Sequence, residues 1–299
     1  MKKNDVLIVT IHDLTETGDG VAIHHKRQVY IPNTLPGERV KTLILKVNKH
    51  HAFGKCLSVL DPNEERQDSP CPISTQCGGC QLLHHTYDAH LNWKQRLLES
   101  KLTDHLPKIS MPRIKPSPFI TGFRNKAQFA FQTDKDGIKL GLYARGSHRV
   151  IDTPHCTIQM PAINDVLYHC RLFFSHLGAD VSCYDDITQT GLLRYLVIRT
   201  TTLNETMVAL VTTSAHVPFL EKWIQVLPKS APMNYQMRVG YGGWLKLYRG
   251  ERVLGTGKGR WKTIHRRCFT PPWGGRLKTN EVRRLQSLGQ ANLIFEKNK

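Results

Sequence analysis

Between residues 6 and 60 the apolar positions fall in short β-branched runs broken by polar turns. "VLIVTI" and "RQVYIP" are two such runs, separated by "TETGDGVAIHH", whose Gly18-Asp19-Gly20 is a turn signal. "GERVKTLILKVNKH" sets Leu43, Leu45 and Val47 at alternate positions among basic residues, the pattern of a half-buried strand. Four or five such strands predict a small all-β barrel of the oligonucleotide-binding kind over residues 1–60, with an open face suited to single-stranded nucleic acid. A barrel with no ligand is the plainer alternative.

The pattern changes after residue 60. "DPNEERQDSP" is polar and bounded by prolines, so it reads as a linker. "YDAHLNWKQRLLESKLTDHL" places Leu91, Leu98 and Leu102 on one side with Trp93 and Leu97 beside them, which predicts an amphipathic helix near 88–106. Pro107, Pro112, Pro116 and Pro118 stop it. From 119 to 228 the chain reads as mixed α and β. "NKAQFAFQTD" and "GIKLGLYAR" form a strand pair turning at Asp136-Gly137. "MPAINDVLYHCRLFFSHLGA" is helical, and "LLRYLVIRTTTLNETMVALVTT" is a second strand pair turning at Asn204.

Charge changes the picture for the last stretch. The chain carries a formal charge of +18, but from Lys229 onward there are 16 Lys or Arg against 3 Asp or Glu, a net of +13. No sustained period of 2 or 3.6 runs through 229–299. That segment is expected to be a basic tail, disordered or translated out of frame. A strongly basic chain favours a polyanionic partner such as nucleic acid. No apolar run is long enough to cross a membrane as a helix, and the start lacks the pattern of a cleaved leader. A cytoplasmic chain is therefore expected, with cysteines that bind metal or do chemistry rather than form disulfides.

"PCPISTQCGGCQLLHH" then carries the candidate chemistry. Cys71, Cys77 and Cys80 can seat three corners of an iron–sulfur cube, and Gly78 and Gly79 let the backbone wrap closely. The fourth ligand must come from Cys56, Cys156, Cys170, Cys183 or Cys268. Cys156 in "IDTPHCTIQMP" stands out because it follows Pro154 outside regular structure, while Cys170 and Cys183 read as buried core thiols. Zinc is the rival, since four-cysteine zinc sites are common.

These segments together resemble the iron–sulfur branch of the RNA (uracil-5-)-methyltransferases that modify 23S ribosomal RNA. "DLTETGDGVAIHHKRQVYIPNTLPGERVK", with "LPGE" at 35–38, is similar to the family's TRAM domain. "CPISTQCGGCQLLHHTYDAHLNWKQ" resembles its cluster loop and following helix. "GFRNKAQFAF", "GLYARGSHRVIDTPHC" and "LLRYLVIRTTTLNETMVALVT" resemble its central domain, so the likeness spans roughly residues 5–227. The resemblance implies a TRAM barrel (1–60), an Fe–S loop and linking helix (61–118) and a central α/β RNA-binding domain (119–228). The fold class expected is thus an all-β OB-like barrel followed by an α+β Fe–S domain. It implies that Cys71, Cys77, Cys80 and Cys156 ligate a [4Fe-4S] cluster with a structural role. It also implies that Phe123, Arg124, Asn125 and Lys126 contact RNA, where two cations and an amide beside a ring can hold phosphate and stack a base. Ribosomal RNA is the implied partner, and a monomer the expected state.

The family's reaction uses S-adenosylmethionine and a nucleophilic cysteine that adds to uracil C6. The activated C5 then takes the methyl group, and a carboxylate base removes the C5 proton. That machinery belongs to a C-terminal doubly wound domain with a glycine-rich cofactor loop. "GTGKG" (255–259) follows no convincing strand and precedes no helix, and Cys268 lies in no matching motif, so neither is assigned. The Rossmann-like methyltransferase domain and its cofactor site are therefore expected to be absent, leaving the RNA-recognition half and an apolar strip exposed on the 88–106 helix. Two other classes stand beside this reading: a non-enzymatic Fe–S RNA-binding protein and a small electron carrier.

Overall fold

The computed structural model describes residues 1–102, 111–177, 181–203, 205–214 and 216–228, together with the backbone of 244–247. Five strands, β1 (Val6–Leu14), β2 (Gly20–His24), β3 (Arg27–Ile31), β4 (Arg39–Val47) and β5 (His51–Asp61), close into a barrel in the order β1-β2-β3-β5-β4. Every strand pairing in it is antiparallel except β3 with β5, where Gln28, Val29 and Tyr30 face His51, Ala52 and Phe53 in parallel register. Closure corrects the open face expected from sequence, because a closed barrel leaves no unpaired strand edge. The phase expected for β4 is also corrected. Val40, Thr42 and Ile44 point into the core, while Leu43 and Val47 are half-buried and Leu45 is 46% exposed. Both faces of β4 carry apolar residues, so alternation alone could not choose between them, and a bulge between Ile44 and Lys46 shifts the register at its end. Val9, Ile11, Ala22, Val29, Ile31, Val40, Ile44 and Ala52 fill the barrel.

Residues 61–86 have little regular structure and are clasped to the barrel by one buried ion pair. Pro36-Gly37 makes a turn whose Gly37 adopts φ +84°, a conformation that favours glycine. Glu38, fully buried, then accepts hydrogen bonds from the backbone N–H groups of Leu35 (2.8 Å) and Asn63 (3.3 Å) and from Nε and Nη2 of Arg66. Arg66 also donates to the Asn33 carbonyl at 3.0 Å, and the Asn63 amide donates to the Pro36 carbonyl at 2.7 Å. The "LPGE" segment is thus the mount on which the next segment sits.

The helix that follows, α1 (Tyr87–Leu102), begins where the sequence places it, and residues 103–110 lie outside the described residues. Its buried positions are Ala89 and Gln95 rather than the leucine stripe. Leu91, Trp93, Leu97 and Leu102 are half-buried and Leu98 is 39% exposed. The reason is that α1 packs on an extended, proline-rich segment whose backbone needs partners. Gln95 accepts from the Ile114 N–H at 2.9 Å and donates to the Pro112 carbonyl at 3.3 Å, and the Tyr87 hydroxyl accepts from the Ser117 N–H at 2.8 Å.

The remaining elements build a six-stranded antiparallel sheet. Its strands are β6 (Lys126–Asp134), β7 (Gly137–Tyr143), β8 (Val150–Asp152), β9 (Leu193–Thr200), β10 (Thr206–Thr212) and β11 (Trp244–Leu247), ordered β11-β10-β9-β6-β7-β8. Both strand pairs expected from sequence form; Asn204 itself lies outside the described residues. One face is covered by α2 (Pro161–Ser175), which starts with proline at its first turn, and by the short α3 (Leu220–Val226). Phe129, Phe131, Leu196, Ile198 and Leu210 of the sheet pack there against Leu167, Cys170, Phe174 and Trp223. The short β8, α3 and β11 carry too few residues for a period to show. β11 (Trp244–Leu247) places a strand inside the stretch expected to be a structureless tail. The rest of 229–299, including "GTGKG" and Cys268, lies outside the described residues.

Candidate metal centre and nucleic-acid interface

Cys71, Cys77, Cys80 and Cys156 line one pocket, with Ile73, Leu83, Leu142 and Ile158 as apolar walls and Arg124, His155 and Gln159 at its polar side. The first three come from the turn-rich loop after the linker, which closes on itself through the Ser74 N–H to Cys71 carbonyl bond (3.2 Å) and the Cys77 N–H to Ile73 carbonyl bond (2.8 Å). That loop lies along the end of β7: the Gly78 N–H donates to the Tyr143 carbonyl at 2.9 Å, and Cys77 bridges Ala144. A side chain at Gly78 would meet the Arg145 Cα at 3.0 Å, so this close approach favours glycine and any other residue would push the loop off the end of β7 by a few tenths of an ångström.

Cys156 is held from the other side. The Asn164 side chain, near the start of α2, accepts from the Cys156 N–H at 2.8 Å and donates to its carbonyl at 3.1 Å. Sequence reasoning missed Asn164, whose only signal was an amide in the first turn of a helix that follows a cysteine loop. The sulfurs also meet backbone donors: the Gly79 N–H lies 3.3 Å from Cys77 Sγ, and the amides of Ile158 and Gln159 favour the Cys156 thiolate. Burial pushes the Cys80 thiol up to about 11, with Cys156, Cys77 and Cys71 adding to the rise and Arg124 opposing it. Burial raises Cys77 and Cys156 as well. Thiols raised in this way, as at Cys77, Cys80 and Cys156, are drawn to ionise by a strong positive centre beside them.

Among the described residues no three His, Cys, Asp or Glu side chains converge at the spacing of a single metal ion. The four cysteines instead ring the pocket. The other candidate ligands are elsewhere. Cys170 is fully buried in the sheet–helix core, where it accepts from Trp223 Nε1 at 3.4 Å, and Cys183 packs against the same core. Cys56 sits on β5 against the barrel core.

Phe123, Arg124, Asn125 and Lys126 lead directly into β6. Their backbone is pinned on both sides: the Arg124 N–H donates to the Ile158 carbonyl (2.8 Å), its own carbonyl accepts from Met160 (2.9 Å), and the Asn125 carbonyl accepts from Thr200 (2.9 Å). All four side chains are exposed, Phe123 by 55%. Phe119 (69% exposed) and Ile120 (54%) extend this apolar edge, and Arg199 faces Lys126 across β9. Periodicity could not flag Phe119 and Ile120, because they sit outside any element. Arg124 belongs to both features, lining the cysteine pocket while standing in the exposed cationic segment. Rings and cations on a rigid edge can stack unpaired bases and hold phosphates.

Residues 2–57 match the TRAM domain model. The chain is 36% identical over 236 residues to an uncharacterised RNA methyltransferase of Halalkalibacterium halodurans, covering 78% of this chain and 51% of that protein. It is 33% identical over 228 residues to an uncharacterised RNA methyltransferase of Bacillus anthracis, covering 75% and 49%. The chain spans about half the length of the curated relatives it matches. Among solved structures it shares the fold of the Pyrococcus abyssi tRNA (uracil-54, C5)-methyltransferase in complex with S-adenosyl-L-homocysteine, with a TM-score of 0.57 and 21% identity over 82% of this chain and 56% of that one. No helix among the described residues is long and apolar enough to cross a membrane.

Proposed function

We propose that this chain carries the RNA-recognition part of an S-adenosylmethionine-dependent RNA (uracil-5-)-methyltransferase acting on ribosomal RNA. The observation that carries the reading is the 236-residue similarity to RNA methyltransferases, which extends far beyond the TRAM match at residues 2–57 and so takes in the sheet domain as well. The uridine C5 specificity follows the activity named for the Pyrococcus abyssi protein of like fold. Methyl transfer from S-adenosylmethionine falls to the part of the relatives' length that this chain does not match, and no catalytic residue is assigned here.

In this reading Cys71, Cys77, Cys80 and Cys156 hold a [4Fe-4S] cluster. Three features support the fit: four thiols around one apolar-walled pocket, backbone amides aimed at two of the sulfurs, and the bare approach at Gly78. Zinc would require sulfurs converging on one centre at about 2.3 Å, and among the described residues no three such side chains converge in that way. When bound, the cluster would supply a fixed cross-link between the cysteine loop and the segment around Cys156. That holds Arg124 beside it, so Phe123–Lys126 meets RNA on a rigid edge. Anaerobically purified chain should contain about four irons and four sulfides and should bind ribosomal RNA fragments with an affinity that falls linearly with salt on logarithmic axes. Absence of RNA binding at low salt refutes the function, and one zinc without sulfide refutes the cluster.

A further inference from the structure

The outer wall of the barrel carries a feature that neither the cysteine pocket nor the exposed segment before β6 uses. Tyr30 of β3 and His51 and Phe53 of β5 form a three-ring cluster, with centroids 5.6 Å (Tyr30–His51), 5.7 Å (Tyr30–Phe53) and 5.2 Å (His51–Phe53) apart. The barrel core does not need these rings, because Val29, Ile31 and Ala52 fill the inward positions of the same strands. Phe53 is 40% exposed, and Tyr30 and His51 are half-buried. The polar tips of Tyr30 and His51 are tied down: the Tyr30 hydroxyl donates to Gln28 Oε1 at 2.7 Å, and the Asn48 amide lies 2.8 Å from His51 Nε2. The rings are thereby fixed in advance of any ligand, which lowers the entropy lost on binding.

The charge on the strands and turn that flank them is mostly basic. Lys46 stands directly opposite Phe53 on β4, and Lys49 and His50 occupy the turn into β5. From His24 to Lys55 the chain has seven Lys or Arg and a single acid, Glu38, which is sealed against Arg66. Asp13 lies at the far end of the same row, separated from Tyr30 by Val21. A preformed aromatic platform edged by cations suits an unpaired base with its flanking phosphates.

We propose that Tyr30, His51 and Phe53 form a base-stacking subsite for single-stranded RNA on the barrel. The proposal rests on the RNA-recognition reading and adds a second contact surface to Phe123–Lys126. The test uses full-length, anaerobically purified chain and a fluorescein-labelled uridine octamer, read by anisotropy. Phe53→Leu and Tyr30→Leu keep apolar bulk but remove the π-face, and each should weaken binding about 5- to 100-fold with the salt slope unchanged. On the unaltered protein, a 4-thiouridine octamer should photocrosslink within residues 27–31 or 51–55. Unchanged affinity in both variants, or crosslinks only at 119–126, overturns the platform while leaving RNA recognition standing. Failure of the unaltered chain to bind RNA overturns both.

Discussion

Glu38→Gln isolates the clasp between the barrel and the cysteine loop. The substitution preserves volume but removes the buried counter-charge to Arg66, and it turns one of two carboxylate oxygens into a donor facing other donors. Those donors are the Leu35 and Asn63 amides and two guanidinium nitrogens. Breaking a fully buried pair costs about 3–5 kcal/mol. Arg66 retains 22% exposure, so partial hydration places the loss at the lower end, about 3 kcal/mol. For a unit this large that is about 6–12 °C in melting temperature. Acid should have the same effect. Burial alone would raise the Glu38 carboxyl, but the Arg66 hydrogen bond and the backbone donors outweigh it and hold it below its ordinary 4.5. Its contribution is therefore complete above about 4.5 and is lost as pH falls through the lower folded value. Urea unfolding of the wild type, Glu38→Gln, Arg66→Gln and the double variant gives the coupling directly. A coupling energy above about 1.5 kcal/mol is expected for such contacting charges. A coupling near zero, or a Glu38→Gln loss under about 0.5 kcal/mol, would refute the clasp.

Other outcomes follow from the same structure. Cys156→Ser should lower bound iron and sulfide sharply by elemental analysis, whereas Cys170→Ser should leave both unchanged and cost about 1–2 kcal/mol through a buried hydroxyl. Burial holds His84, only 8% exposed, neutral down to about 4, so the fold resists its protonation. Stability is then full above its unfolded value near 6.5 and declines as pH falls toward 4. About 2 kcal/mol should go between about pH 7.5 and 5, and His84→Gln should flatten that slope in denaturant titrations at the two pH values.

Much of this architecture was legible because it is local. Apolar runs marked β1, β3, β4, β6, β7, β9 and β10, and a helical apolar pattern marked α2, whereas β2 lay inside the segment read as a turn and β5 carried no run that singled it out. Cys156 was legible as a loop residue behind a proline. What failed depended on tertiary partners. On β4 both faces are apolar, so closure of the barrel, not the pattern, decided that Val40 and Ile44 turn inward and Leu45 outward. On α1 a glutamine, Gln95, is buried in place of the leucine stripe because the segment it covers presents a backbone N–H and a carbonyl that need partners. The role of "LPGE" was visible only as a resemblance, since its glutamate finds Arg66 28 residues later. The ring cluster likewise joins Tyr30 to His51 and Phe53, more than twenty residues later, and Asn164 shows its role only once the loop holding Cys156 folds back on the start of α2.

The central claim is that the rigid segment beside the cysteine pocket holds RNA, and paired salt titrations test it most directly. Binding of a uridine-containing ribosomal RNA fragment should be measured from low to moderate salt for the wild type and for Arg124→Ala/Lys126→Ala. The account expects weaker binding and a salt slope smaller by about 2, one for each phosphate contact removed. Identical affinities and slopes for the two proteins would contradict it.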